Sequence, residues 1–370
     1  MRFLVSLAIA VFSLSAHAVS MTADDWQPYP NNLPTFDYSG DKLKDAWPQL
    51  TLGTKQDFPD ELFILNYAKK YPGIQKIALE KAAQPDAHPA LKRILILENY
   101  MQKHPGLEDS ITGNVVAADL SPEFKAVMHE SLTPLAEALQ QAWRFHYQGQ
   151  FKEAYQLGMQ LGPAGAVPAI YSKLMYATFM LQSPKEKLEM FRHAADEAQV
   201  YLPLTPGYDF AEFGLLYARV RILERLNTPL ALATGFLGST QTSLGKLAEK
   251  SPDISLYAAL LGGLQAGVVE RVGSFIGRLT YGATEDRTIV RFDNAKETAP
   301  TLPVVYNEYI VALSRINMKK YKNEIQKLAS ECATLTPFSA EEALNQALCN
   351  TTYKTSEMVK DNEVAANFDH

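Results

Sequence analysis

The chain is poor in cysteine, in paired histidines and in basic runs, and each shortage removes a class of function. Two cysteines in 370 residues cannot build a four-thiolate zinc or iron–sulfur site. Lys and Arg total 35 against 41 Asp and Glu, for a net charge of -6. With no long basic run, that balance argues against nucleic acid as a partner. Beyond residue 18 the histidines are His88, His104, His129, His146, His193 and His370, and none has a second histidine four residues away. His129-Glu130 opens like a zinc-protease helix, but Ser131-Leu132-Thr133 follow where the second ligand is required. Gly235-Phe-Leu-Gly238-Ser239 has the wrong order for a nucleophile elbow. Leu244-Gly245-Lys246-Leu247 lacks both the upstream glycine and the hydroxyl of a phosphate loop. Neighbouring acids such as Glu341-Glu342 point apart on a helix. These absences predict a protein without a catalytic site, metal or cofactor.

The N-terminus is informative. Met1-Arg2, the apolar stretch 3–14 and Ala16-His17-Ala18 read as a signal peptide over 1–18, too short for a spanning anchor. The rest is then expected to be exported, most simply to a periplasm, without spanning the membrane. Cys332 and Cys349 lie 17 residues apart in this exported part. An oxidising compartment suits a disulfide between two helices, whereas a redox pair usually has closer spacing.

Residues 19–58 are rich in Pro, Asp, Asn and Gly with scattered aromatics, including Trp26, Tyr29, Phe36, Tyr38 and Trp47. They are expected to form an irregular arm anchored by those rings, with a short helix near 41–47. From 59 onward apolar residues recur at three- and four-residue spacing, the signature of amphipathic helices. Helices are predicted over about 59–70, 73–83, 91–101, 122–147, 151–161, 168–182, 184–200, 209–226 and 229–249. They continue over about 254–278, 285–299, 303–317, 320–333 and 339–353, and strand-like alternation is nearly absent. Prolines fall at most joints, and Ser121-Pro122, Ser183-Pro184 and Thr228-Pro229 place a capping hydroxyl before the first turn. Pro134 falls inside 122–147, where a break or kink is expected. In the most apolar segment, 254–269, Gly263 and Gly267 are read as letting a long central helix pack tightly.

One unit is sharper than the rest. In Ala142-Trp143-Arg144-Phe145-His146-Tyr147-Gln148-Gly149-Gln150-Phe151-Lys152-Glu153-Ala154, Gly149 allows the left-handed turn that ends one helix and Phe151 covers it. Ala142 and Ala154 let the paired helices approach. This stretch resembles the tetratricopeptide (TPR) repeat, although Gly158 and Leu161 stand where that family prefers an aromatic and alanine. Phe292, Ala295 and Pro300 match the second half of the same pattern. The resemblance, over 131–353, implies an all-α antiparallel helix-hairpin array, a TPR-like α-solenoid. An N-terminal helical segment (59–130) would precede it and a polar tail (354–370) follow. It further implies a concave groove that takes extended peptides or partner helices, placing Leu139, Trp143, His146, Lys173, Asn307 and Ser314 on that face. The expected function is a non-catalytic protein-binding or scaffolding module with a partner in the cell envelope. Two alternatives stay open. One is a transport-accessory or small-molecule-binding role, its ligand held by the hairpins around 254–299 near Tyr257, Arg278 and Tyr281. The other is an envelope hydrolase whose carboxylates converge only in three dimensions.

Overall fold

The computed structural model describes residues 26–107 and 120–352. The expected signal peptide, the first residues of the arm and the expected polar tail fall outside them. Among the described residues every regular element is a helix. In chain order these are α1 (Lys42–Leu50), α2 (Glu61–Lys70), α3 (Pro72–Ala82), α4 (Pro89–Lys92), α5 (Ile94–Lys103) and α6 (Pro122–Tyr147). Then come α7 (Phe151–Gln160), α8 (Ala166–Met175), α9 (Pro184–Tyr201), α10 (Asp209–Arg225), α11 (Thr228–Ala233) and α12 (Phe236–Lys250). The last are α13 (Ser255–Tyr281), α14 (Glu285–Thr298), α15 (Pro303–Asn317), α16 (Lys322–Ala333) and α17 (340–352).

Local chemistry explains the boundaries. Ser121 accepts a bond from the Phe124 amide and Ser183 from that of Glu186, so each hydroxyl satisfies an otherwise unpaired donor of the first turn. Before α11 the cap is Asn227, which bonds the Leu230 amide at 3.0 Å; Thr228 is already helical. Gly149 takes φ +82° and ends α6. Two expectations fail. α6 runs through Pro134 without a break, and the flanking Ser131, Leu132, Leu135 and Ala136 are all buried, so packing on both sides supports its continuity. The single helix expected over 229–249 is divided at Gly235, whose φ of +68° no helix interior accommodates.

From α2 to α16 each helix packs on the next. Backbones meet closely between α7 and α8, where a Cβ on Gly165 would fall 2.1 Å from the Gly158 carbonyl oxygen. That contact requires glycine on the chain that here departs from the TPR pattern. The largest core gathers α1, α2 and α6 with Phe210, Phe213, Leu216 and the start of α13. A second joins Trp26 to α8, α9 and α10, and a third joins α13 to α17. Cys332 and Cys349, both fully buried in the third core, are joined by a disulfide with Cα atoms 6.1 Å apart.

The arm is pinned along its length. Trp26 stacks on Tyr176 at 4.2 Å and on Tyr155 at 5.3 Å between ring centres. Arg144 donates to the Tyr38 and Gly40 carbonyls, and the Tyr38 hydroxyl donates to the Phe338 carbonyl. From α1, Trp47 packs edge-on to Trp143 at 5.8 Å and donates its indole N–H to Gln56.

Candidate functional site

The residues expected to line an open groove lie inside. Leu139, Trp143 and His146 are buried beneath Trp47, Tyr147, Tyr171 and Phe210. Lys173 is buried too, paired with Glu197 at 2.8 Å and seated over the Tyr155 ring. Asn307 donates to Asn345 of α17 at 3.1 Å, and Ser314 is half-buried and bonds back to the Ile310 carbonyl. Trp47 of the arm and Asn345 of α17 therefore cover Trp143 and Asn307, while Lys173 is closed off by Glu197 and Ser314 stays half-buried.

A small hollow of 40 Å³ survives beneath the cover, lined by Trp143, His146, Tyr147, Tyr171, Glu341, Glu342 and Asn345 among others. It has room for one to three waters but not for a sugar ring or a peptide. His146 bonds Ser172 at 3.0 Å through Nδ1 and faces Glu341 at 3.8 Å through Nε2. Burial pushes the Glu342 carboxyl up to about 8, the Phe338 amide opposes this by donating to it at 2.8 Å, and Glu341 adds repulsion.

The large opening lies elsewhere. A cavity of 210 Å³ is bounded by α10, α11, α13, the start of α12 and Arg315 of α15. Its wall is mostly Val220, Leu223, Ala231, Leu237, Leu264 and Val268. Gly263 and Gly267 form part of its floor, and a Cβ added to either would meet nothing nearer than 3.8 Å. These two glycines leave space. The close helix contact belongs instead to Gly262, where a Cβ would fall 2.7 Å from the Phe292 ring. Of the residues expected around a ligand, Tyr281 lines the cavity; Tyr257 is buried against Phe213 and Arg278 is exposed.

The rim is apolar and wet. Gly273 adopts φ +75° and breaks α13, and beyond it Phe275 and Leu279 stand 77% and 71% exposed. Ile276 and Leu232, about half exposed, belong to the cavity wall itself. Leu230 adds a further exposed side chain on α11.

The polar part of the wall is gathered in one place. Glu224 is held by Arg315 at 2.8 Å and Arg221 at 3.0 Å, with Arg225 at 3.7 Å, and Arg221 also bonds Glu308. Burial alone would raise the Glu224 carboxyl; Arg221 and then Arg315 overcome this and hold it well below its ordinary range. Such a group is ionised at any physiological pH. Arg271 donates to the Leu223 and Glu224 carbonyls, at 2.8 and 3.2 Å, at the end of α10.

Among the described residues no cluster of His, Cys, Asp and Glu could hold a metal ion, and no helix is long and apolar enough to cross a membrane. Comparisons with protein families, with curated proteins and with solved structures return no match. The alternative reading of a ligand near the 254–299 hairpins touches the cavity at Tyr281, but much of the rest of the lining is ordinary Leu and Val and carries no signal. The cavity's other visible signal, Gly263 and Gly267 four apart on an apolar helix, has a second meaning as a packing face.

Proposed function

We propose that this chain is an exported, non-catalytic binding module built from TPR-like helix hairpins, and that it holds an apolar small molecule between α10, α11 and α13. The observation that carries this reading is the 210 Å³ cavity, floored by glycines and opening onto exposed apolar side chains. Apolar cavities of about 150 Å³ stay dry and take up benzene-sized guests, so this one has room for a chain of about six to eight carbons. About six buried methylenes at ~0.8 kcal/mol each give ~5 kcal/mol, a Kd of roughly 0.1–1 mM.

Titration calorimetry with 1-octanol tests this directly. Binding in that range is expected for the unaltered chain, and Gly267→Leu, which fills the cavity, should abolish it. Equal heats with both proteins, or none with either, would end the reading. The exposure of Phe275 and Leu279 also favours a protein partner seated over the same rim. Phe275→Asp would release such a partner while leaving octanol binding intact.

A further inference from the structure

The cavity is not uniformly apolar, and its polar groups are unequally satisfied. Glu224 is saturated by Arg221 and Arg315, so it has little attraction left for a ligand cation. Glu270 is looser, 3.9 Å from the Arg315 Nε and nearly half exposed. Arg271 is the odd member. Its Nη2 is used on two backbone carbonyls, and among the described residues it pairs with no carboxylate. A guanidinium carries five N–H donors in a planar fork, so its Nε and Nη1 donors remain beside the apolar wall. The cluster as a whole sets Arg221, Arg225, Arg271 and Arg315 against Glu224, Glu270 and Glu308, which leaves one positive charge over.

We propose that the ligand is a singly anionic amphiphile, a medium-chain carboxylate, with its chain over Gly263, Gly267 and Val268 and its head on Arg271. This rests on the cavity being a binding site at all. A carboxylate can accept a charge-assisted bond from an Nη1 or Nε donor, while a hydroxyl offers only a neutral acceptor. A cationic head would face Arg271 and Arg315 and find only Glu270. Capping the end of α10 explains why Arg271 is anchored there, but the partial negative charge of a helix end offsets its full charge only in part.

Calorimetry on the full chain with octanoate, 1-octanol and octylammonium separates the two levels. Octanoate is expected to bind about 10-fold tighter than octanol, the step that one charge-assisted hydrogen bond supplies, and octylammonium weakest. Arg271→Gln should bring octanoate down to the octanol level without changing octanol. If that variant loses the α10 cap and unfolds, Glu270→Gln serves instead. By removing the one unsaturated carboxylate, it should tighten octanoate severalfold and leave octanol unchanged. Octanol equal to or tighter than octanoate overturns the anionic-head inference and leaves the cavity reading standing. No binding of any of the three overturns both.

Discussion

Two stretches of this interior are built from similar hydrophobic helices and end in opposite states. Around Trp143 the space between helices is filled by rings from four elements, Trp47, Tyr147, Tyr171 and Phe210, leaving a remnant of 40 Å³. Along α13 the facing positions are Gly263 and Gly267, and 210 Å³ stays open. Proteins normally pack to crystal-like density, and an unfilled volume costs stability through lost contacts. The filled region therefore contributes to holding the fold, while the open one trades stability for room. That contrast is the ground for proposing a binding site along α13 rather than on the face where the repeat pattern pointed.

The contrast can be attacked from either side. Trp143→Ala digs a hollow into the filled region and should cost about 3–5 kcal/mol in urea unfolding; a loss below ~1 kcal/mol would mean that the rings there are not the main support. Glu342→Gln addresses the polar remnant. Its carboxyl, ordinarily near 4.5, is raised to about 8 in the folded state, so between those values the native chain holds a proton that the unfolded chain has released. Stability from this group is complete below about pH 4.5 and is lost as pH climbs through 8. Glutamine keeps the acceptor for Phe338 without the charge. The variant should be roughly 2–3 kcal/mol more stable near pH 8, with a flatter pH profile from 5 to 8. An unchanged profile would place the proton elsewhere. The smallest effect is expected at Gly267→Ala, where a better helix former with space for its methyl should gain up to ~1 kcal/mol while weakening octanol binding. If stability falls instead, the floor of the cavity is not free.

Much of the helical plan was legible because each boundary carries its own chemistry. Ser121 and Ser183 before proline, and Gly149 after Tyr147, satisfy or terminate a helix through local bonds alone, and all three act as read. Pro134 and Thr228 misled for a related reason. Whether a proline breaks a helix depends on what clamps its flanks, and Asn227 competes for the cap that Thr228 was expected to provide. The site was less legible still. Trp143, His146 and Lys173 were placed on the right elements, but whether those elements face solvent depends on the arm and α17, which approach from the two ends of the sequence. A cavity is a shared absence contributed by residues from 220 to 315, and no local pattern encodes it.

The arm gives the molecule a property that stacked hairpins lack. In an open series of repeats each unit touches only its neighbours, so the ends fray first and unfolding spreads inward. Here Tyr38 reaches Phe338, and Tyr29 lies against Gly149 and close to Ala340, so the first described segment is fastened to the last helix. Among the described residues the first segment and the last helix are thus clasped together, and cutting either clasp should turn one cooperative transition into several.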